Sequence, residues 1–147
     1  MSPNDQAVIQ QARRILARQV RKGRKLLSPQ DVRDYLLLRL AQYEREVFGV
    51  FLLDNQHRVL AFHELFQGTL NQTAVYPREI IKVTVQHNAA ALILVHNHPG
   101  NEPSPSNADK LITQKIKLAV ELIDVRLLDH FIVAGDQTVS MAELGLV

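Results

Sequence analysis

Ala91-Leu92-Ile93-Leu94-Val95-His96-Asn97-His98-Pro99 is the stretch that decides the fold. Ala91 to Val95 is a continuous apolar run, within a stretch bounded by Asn88 before and by His-Pro-Gly after, and reads as a central strand. Such a strand is buried on both faces, which calls for cover on each side of its sheet. His96 and His98 stand at i and i+2 where it ends, and in an extended chain those side chains share a face. From Pro99 to Pro105 the chain has three prolines and a glycine, so no regular structure fits there. Ser104-Pro105 then supplies an N-cap and a first-turn proline, and Leu111, Ile112, Ile116, Leu118, Ala119 and Leu122 continue a long helix. Asp109 lies near the start of that helix, with Ser106 at i−3 on the same face. The loop thus returns a helix start over a strand end.

Working outward, Val125 to Ala134 reads as a strand, Gly135-Asp136 as a turn, Val139-Ser140 as a short return, and Met141 to Leu146 as a terminal helical turn. Upstream, Pro77 opens a helix with Ile80, Ile81, Val83, Thr84 and Val85 on or near its buried side. Gly68 to Val75 is a polar loop or short strand. Val47 to Leu53 and Arg58 to Phe66, joined by Asp54-Asn55, form an antiparallel hairpin. Ser28-Pro29-Gln30-Asp31 starts a helix that runs to about Gln42 and buries Val32, Leu36 and Leu40. Residues 6–22 form an amphipathic helix on Val8, Ala12, Ile15, Leu16 and Val20, with a basic outer face and Gly23 as its stop. The predicted class is α/β with α+β character, a mixed and mostly antiparallel sheet between helices.

The 147 residues amount to one domain, and the absence of cysteine excludes disulfides and thiolate metal sites. A bound metal must therefore use His, Asp, Glu or backbone oxygen. No apolar stretch is long enough to cross a bilayer and the N-terminus lacks an apolar signal core, so the expectation is a cytoplasmic protein without membrane contact. The net charge of +2 hides an asymmetry: residues 1–30 carry +6, from seven basic residues and Asp5, and the remainder carries −4. The expected division is a basic N-terminal helix over residues 1–27 and a main domain over residues 28–147.

Two imidazoles and one carboxylate, from His96, His98 and Asp109, leave the fourth position of a tetrahedral zinc free for water, as a catalytic site requires. A His-x-His pair alone is a weak signal. Pro99, Ser106 and Asp109 at fixed spacing after an apolar strand make it a strong one. A metal-dependent nuclease is disfavoured, because in nucleases of the His-Asn-His type the three residues are dispersed. A nucleic-acid binding module using the basic N-terminal helix is the alternative from a different class, although no aromatic residue is interleaved there for base stacking.

The string resembles the His-x-His-Pro-x6-Ser-x2-Asp signature of the JAMM (MPN+) zinc metalloproteases, and every defining position is filled. Glu46-Val47-Phe48-Gly49 resembles that family's Glu-x-x-Gly context. Arg45 to Gly49, Gly68-Thr69-Leu70-Asn71-Gln72-Thr73, Pro77-Arg78-Glu79 and His96-Asn97-His98-Pro99 are similar to the bacterial RadC-type branch, historically called DNA-repair proteins. The similarity runs from about Ser28 to the C-terminus. Pro99-Gly100-Asn101 departs from the branch's usual Pro-Ser-Gly, sparing every candidate ligand. The expectation from this resemblance is a short form without the helix-hairpin-helix DNA-binding module of longer relatives.

The resemblance implies a JAMM/MPN sheet sandwich of cytidine-deaminase-like architecture, with one Zn2+ per chain on His96, His98 and Asp109. It implies amide or isopeptide hydrolysis of a protein or peptide, with Glu46 as general acid/base and Ser106 donating to the oxyanion. The plain alternative for Glu46 is an exposed strand-edge carboxylate, with Glu44 a nearby competitor; for Ser106 it is helix capping. His57 reads as a solvated turn residue, and His63 and His87 as surface or helix-end residues. Asp129-His130 recurs in the RadC branch and reads first as structural, with a hydrogen bond to a metal ligand as its second role. Arg78, a cation at a helix start, is a candidate contact for a partner or substrate carboxylate.

Overall fold

The computed structural model describes residues 2–19, 29–40, 43–68 and 75–147. Helices α1 (Pro3–Gln19) and α2 (Pro29–Leu40) precede a hairpin of β1 (Glu46–Leu53) and β2 (Val59–Gly68). Then follow α3 (Pro77–Gln86), β3 (Ala91–Asn97), α4 (Asn107–Glu121), β4 (Arg126–Ala134) and β5 (Gln137–Ser140). The strand order is β2-β1-β3-β4-β5, with β3 and β4 parallel and every other neighbouring pair antiparallel. A parallel pair needs a crossover, and α4 is that crossover. Gly23, Ser28 and most of the Gly68–Val75 segment lie outside the described residues.

Period-two alternation sorts the apolar residues of the central strands onto two faces. Val47, Phe51 and Leu53 of β1 join Ala91, Ile93 and Val95 of β3 under α2, where Val32, Tyr35, Leu36 and Leu40 pack. Phe48, Val50 and Leu52 join Leu92 and Leu94 on the other face, against Ile80 and Val83 of α3 and Ile116 and Val120 of α4. All seven residues of β3 are buried, the five apolar ones as their unbroken run requires and His96 and Asn97 with them. His96 follows Leu92 and Leu94 in the alternation and so lies on the α3/α4 face.

Several details differ from the sequence reading. Helix α4 begins at Asn107 and is capped by Ser106, not Ser104. Both serines precede an apolar periodicity, but only Ser106 has an acidic residue three positions on to close a capping box. Leu111, Leu118 and Leu122 are exposed, and the buried stripe of α4 is Thr113, Ile116 and Val120. Val85 on α3 is likewise exposed. Helix α1 does not dock through Val8 and Ile15, which are exposed. It docks through Leu16, packed on the α2-side core, and through Arg13, whose Nε donates to the Leu38 carbonyl at 2.6 Å. That carbonyl lies in the last turn of α2, where a cation is electrostatically favoured.

Candidate metal centre and active site

The site forms where β3 ends beneath the start of α4. The strand alternation sets His96 pointing to the α4 face. The chain stays extended for one more residue because the His98 N–H donates to the Val133 carbonyl of β4 at 2.7 Å. The His96 and His98 Nε2 atoms therefore converge to 2.9 Å. Asp109 completes the group: Oδ1 is 3.1 Å from His96 Nε2 and Oδ2 is 3.0 Å from His98 Nε2. The arrangement has the ligand types and proximity to hold a metal ion.

Asp109 is held by the local chemistry of the helix start. Ser106 Oγ accepts from the Asp109 N–H at 3.0 Å, and Asp109 Oδ2 accepts from the Ser106 N–H at 2.8 Å, a complete capping box. The carboxylate that faces the imidazoles is thus also the one that caps α4. After His98 the chain turns, with the Asn101 N–H donating to the His98 carbonyl at 3.1 Å. Asn101 takes φ +63°, in the left-handed region that asparagine tolerates better than most residues. It stands where the RadC pattern has glycine, so the departure from Pro-Ser-Gly keeps the turn.

The donor chemistry fits a cation. His98 Nδ1 lies 2.7 Å from the Glu102 carbonyl, which can only accept, so Nδ1 carries a proton and the neutral ring leaves Nε2 bare. Bare nitrogen and two carboxylate oxygens then converge on one point, an arrangement of acceptors that a cation stabilises. The electrostatics agree. The Asp109 side chain raises the His98 pKa above its ordinary value against the effect of burial, with further help from the Glu102 carbonyl and the charges of Asp109 and Glu46. For Asp109, burial alone would raise the carboxyl, but the His96 and His98 side chains and the Ser106 N–H hold it well below the usual carboxylate range.

Glu46 opens β1 and is half-buried. It lines the same cleft of about 310 Å³ as His96, His98, Ser106 and Asp109, with Phe48, Val75 and Ile112 as apolar wall. Its placement depends on Asn97, a residue the motif reading passes over. Asn97 is buried; Oδ1 accepts from the Val47 N–H at 2.7 Å and Nδ2 donates to the Arg45 carbonyl at 3.0 Å. These are the peptide groups on either side of Glu46. A polar residue inside a fully buried strand is the available signal. Gly49 fixes the strand behind it: a Cβ there would lie 2.8 Å from Phe62 Cζ and 3.0 Å from the His63 carbonyl oxygen. The Glu-x-x-Gly spacing is therefore a packing requirement as well as a motif.

The Asp129-His130 pair divides its work. Asp129 is structural: Oδ2 accepts from the Ser140 hydroxyl at 2.6 Å and Oδ1 from the Ala142 N–H at 2.9 Å, tying down the chain after β5. His130 reaches a candidate ligand, with Nε2 at 2.8 Å from His96 Nδ1. His63 and His87 lie outside the cleft; they are partly buried and their Nε2 atoms meet at 2.9 Å. Arg78 is largely exposed, its guanidinium 4.9 Å from the centre of the Tyr76 ring and 4.0 Å from Glu79.

Residues 26–146 match the family described as the RadC-like JAB domain. The chain belongs to that family. Similar proteins include UPF0758 proteins of Methylibium petroleiphilum, 55% identical over 141 residues, and of Polaromonas sp., 51% identical over 141 residues. Another, from Azotobacter vinelandii, is 54% identical over 140 residues. These alignments take in 95–96% of this chain and 62–64% of the relatives, so the chain spans a little under two thirds of their length. The mixed five-stranded sheet between helices is consistent with a JAB/MPN-like domain. No helix among the described residues is long and apolar enough to cross a membrane.

Proposed function

We propose that this chain is a zinc-dependent metallopeptidase or isopeptidase that hydrolyses an amide bond in a protein or peptide. The observation that carries the reading is the convergence of His96 Nε2, His98 Nε2 and the Asp109 carboxylate within 3.1 Å of one another, in a cleft shared with Glu46. His96, His98 and Asp109 would hold the ion. Bound zinc would supply Lewis-acid polarisation of the scissile carbonyl and acidification of a water molecule.

The chain's own groups divide the remaining work. Glu46 takes the proton of the attacking water and returns it to the leaving amine. It lines the same cleft as the three candidate ligands, and its charge adds to the raising of the His98 pKa after the larger effects of Asp109 and the Glu102 carbonyl. The Ser106 oxygen accepts the Asp109 N–H, and its own hydroxyl proton would donate to the oxyanion. Phe48, Val75 and Ile112 offer an apolar wall to a substrate side chain.

The test has two parts. Metal analysis of purified chain should find about one zinc per chain, the count for a mononuclear hydrolase site, and His98→Ala should remove it. Glu46→Gln should keep the zinc and lower turnover by roughly a hundred- to ten-thousand-fold. Used as bait, that variant should retain proteins or peptides that the wild-type chain then cleaves at an amide bond, with a chelator blocking cleavage. Full zinc content in His98→Ala would overturn the metal site. Loss of zinc or unimpaired hydrolysis in Glu46→Gln would overturn the role of Glu46.

A further inference from the structure

Between His96 and α4 lies a chain of polar atoms that takes no direct part in the proposed hydrolysis. His130 and Thr113 are both fully buried. Thr113 Oγ1 lies 2.6 Å from the Asp109 carbonyl oxygen and 2.6 Å from His130 Nδ1. His130 Nε2 in turn lies 2.8 Å from His96 Nδ1. The ring of Phe48 stacks beside His96 at 6.1 Å and meets His130 edge-on at 5.7 Å.

We propose that Thr113 and His130 are positioning residues: together they form a relay that sets His96 in the tautomer with a bare Nε2 facing Asp109. The proposal rests on His96 being a metal ligand. The polarity follows from counting protons. A threonine hydroxyl has one proton, and the Asp109 carbonyl has none to offer, so at 2.6 Å the hydroxyl must donate to it. The Sδ of Met141, 3.8 Å from Oγ1, also supplies no proton. Contact with His130 therefore requires Nδ1–H to donate to Oγ1. A neutral His130 then has a bare Nε2, which accepts from His96 Nδ1–H. A neutral His96 is left with no proton on Nε2.

The reversed chain is excluded at its first link. It would bring two oxygen lone pairs to 2.6 Å with no hydrogen between them, and it would end with an N–H occupying the cation position. Thr113 lies one helical turn beyond Asp109, so the relay joins two ligands: it leaves the carbonyl of one and ends on the ring of the other. A register shift between β3 and β4 allows this. Leu92 pairs with Leu127 but Ile93 with Asp129, and the skipped Leu128 puts His130 on the α4 face.

The experiment is 15N–1H correlation of the imidazole nitrogens in the metal-free full chain, at mildly alkaline pH where ordinary histidines are neutral. The expected result is the Nδ1–H tautomer for both His96 and His130. Thr113→Val, which keeps the shape and removes the hydroxyl, should shift both rings toward Nε2–H. It should also weaken zinc affinity roughly ten- to a hundred-fold in competition with a chromophoric chelator. Thr113→Ser should restore both readouts. A His96 carrying its proton on Nε2 in the wild-type chain would overturn the relay, whether or not any variant folds. So would a Thr113→Val protein with unchanged tautomers and zinc affinity. The tautomers are read without metal or substrate, so correct tautomers in a chain that fails to hydrolyse amides would count against the proposed function and leave the relay standing.

Discussion

Asn97 Oδ1 accepts the N–H of Val47 at 2.7 Å, joining the strand that carries His96 to the peptide that follows Glu46. With Nδ2 on the Arg45 carbonyl at 3.0 Å, one amide fixes the backbone on both sides of Glu46. The two halves of the site, ligands on one strand and carboxylate on the next, are thus tied by this side chain beyond the point where the β1–β3 pairing ends at Phe48 and His96.

Asn97→Ala should separate these halves. It leaves a buried N–H and a carbonyl without their partners, at a cost of about 1–3 kcal/mol each before relaxation. Urea unfolding of the zinc-loaded protein should show that loss, and metal analysis should show the zinc retained. Turnover, measured on a substrate trapped with Glu46→Gln, should fall in Asn97→Ala, and the double variant should be no slower than Glu46→Gln alone. Additive losses would mean that Asn97 does not act through Glu46.

Protons should compete with zinc at His98. Its raised pKa means that below this value the Nε2 position facing Asp109 holds a proton, which zinc must displace. Calorimetry in buffers of different ionisation enthalpy should find proton release that is large at mildly acidic pH and vanishes at alkaline pH, with zinc affinity rising along the same curve. The metal-free protein has its own signature. The His98 contribution to stability is complete below the unfolded imidazole value and is lost as pH rises through the higher folded value. The Asp109 contribution is present above the unfolded carboxyl value and is lost as pH falls toward its depressed folded value. Zinc affinity that does not depend on pH across the histidine range would contradict this.

Gly49→Ala tests the spacing of the Glu-x-x-Gly segment. Its Cβ would lie 2.8 Å from the ring of Phe62 and 3.0 Å from a backbone oxygen, and the backbone cannot swing aside as a side-chain tip could. Overpacking of this kind costs typically about 1–3 kcal/mol. A lowered melting temperature is expected, with partial recovery in Gly49→Ala/Phe62→Leu. An unchanged melting temperature would show that β2 yields without cost.

Much of this arrangement is legible in the sequence, for identifiable reasons. A strand buried on both faces has to be apolar throughout, so Ala91 to Val95 announces itself, and ligands at i and i+2 follow from its pleat. The hairpin and the α4 crossover carry equally local signals. What stays hidden depends on pairing across strands. Nothing near His130 signals that skipping Leu128 turns its ring toward His96. Nothing near Asn97 marks it as the anchor of a segment fifty positions upstream. The start of α4 is easily misread because Ser104-Pro105 imitates a cap, whereas the capping box on Asp109 decides the competition in favour of Ser106. For α1, apolar spacing alone cannot weigh an arginine as a docking residue, yet Arg13 donates to the Leu38 carbonyl.

The docking of α1 changes how the basic segment should be tested as a nucleic-acid surface. Removing it would take away Leu16 and Arg13, which pack on or bond to the main body, and would confuse lost binding with lost stability. Arg14 and Arg18 are exposed, so Arg14→Ala/Arg18→Ala alters charge while sparing the docked face. The expected outcome is unchanged zinc content and melting temperature. For DNA, the intact chain should show only weak affinity that disappears near physiological salt, because the segment has charge but no aromatic residue for stacking. On duplex DNA, the slope of log affinity against log salt should become shallower by about 0.9 for each phosphate that the variant no longer neutralises. Tight binding that survives both substitutions would move a nucleic-acid site onto the main domain and favour the binding-module reading over hydrolysis.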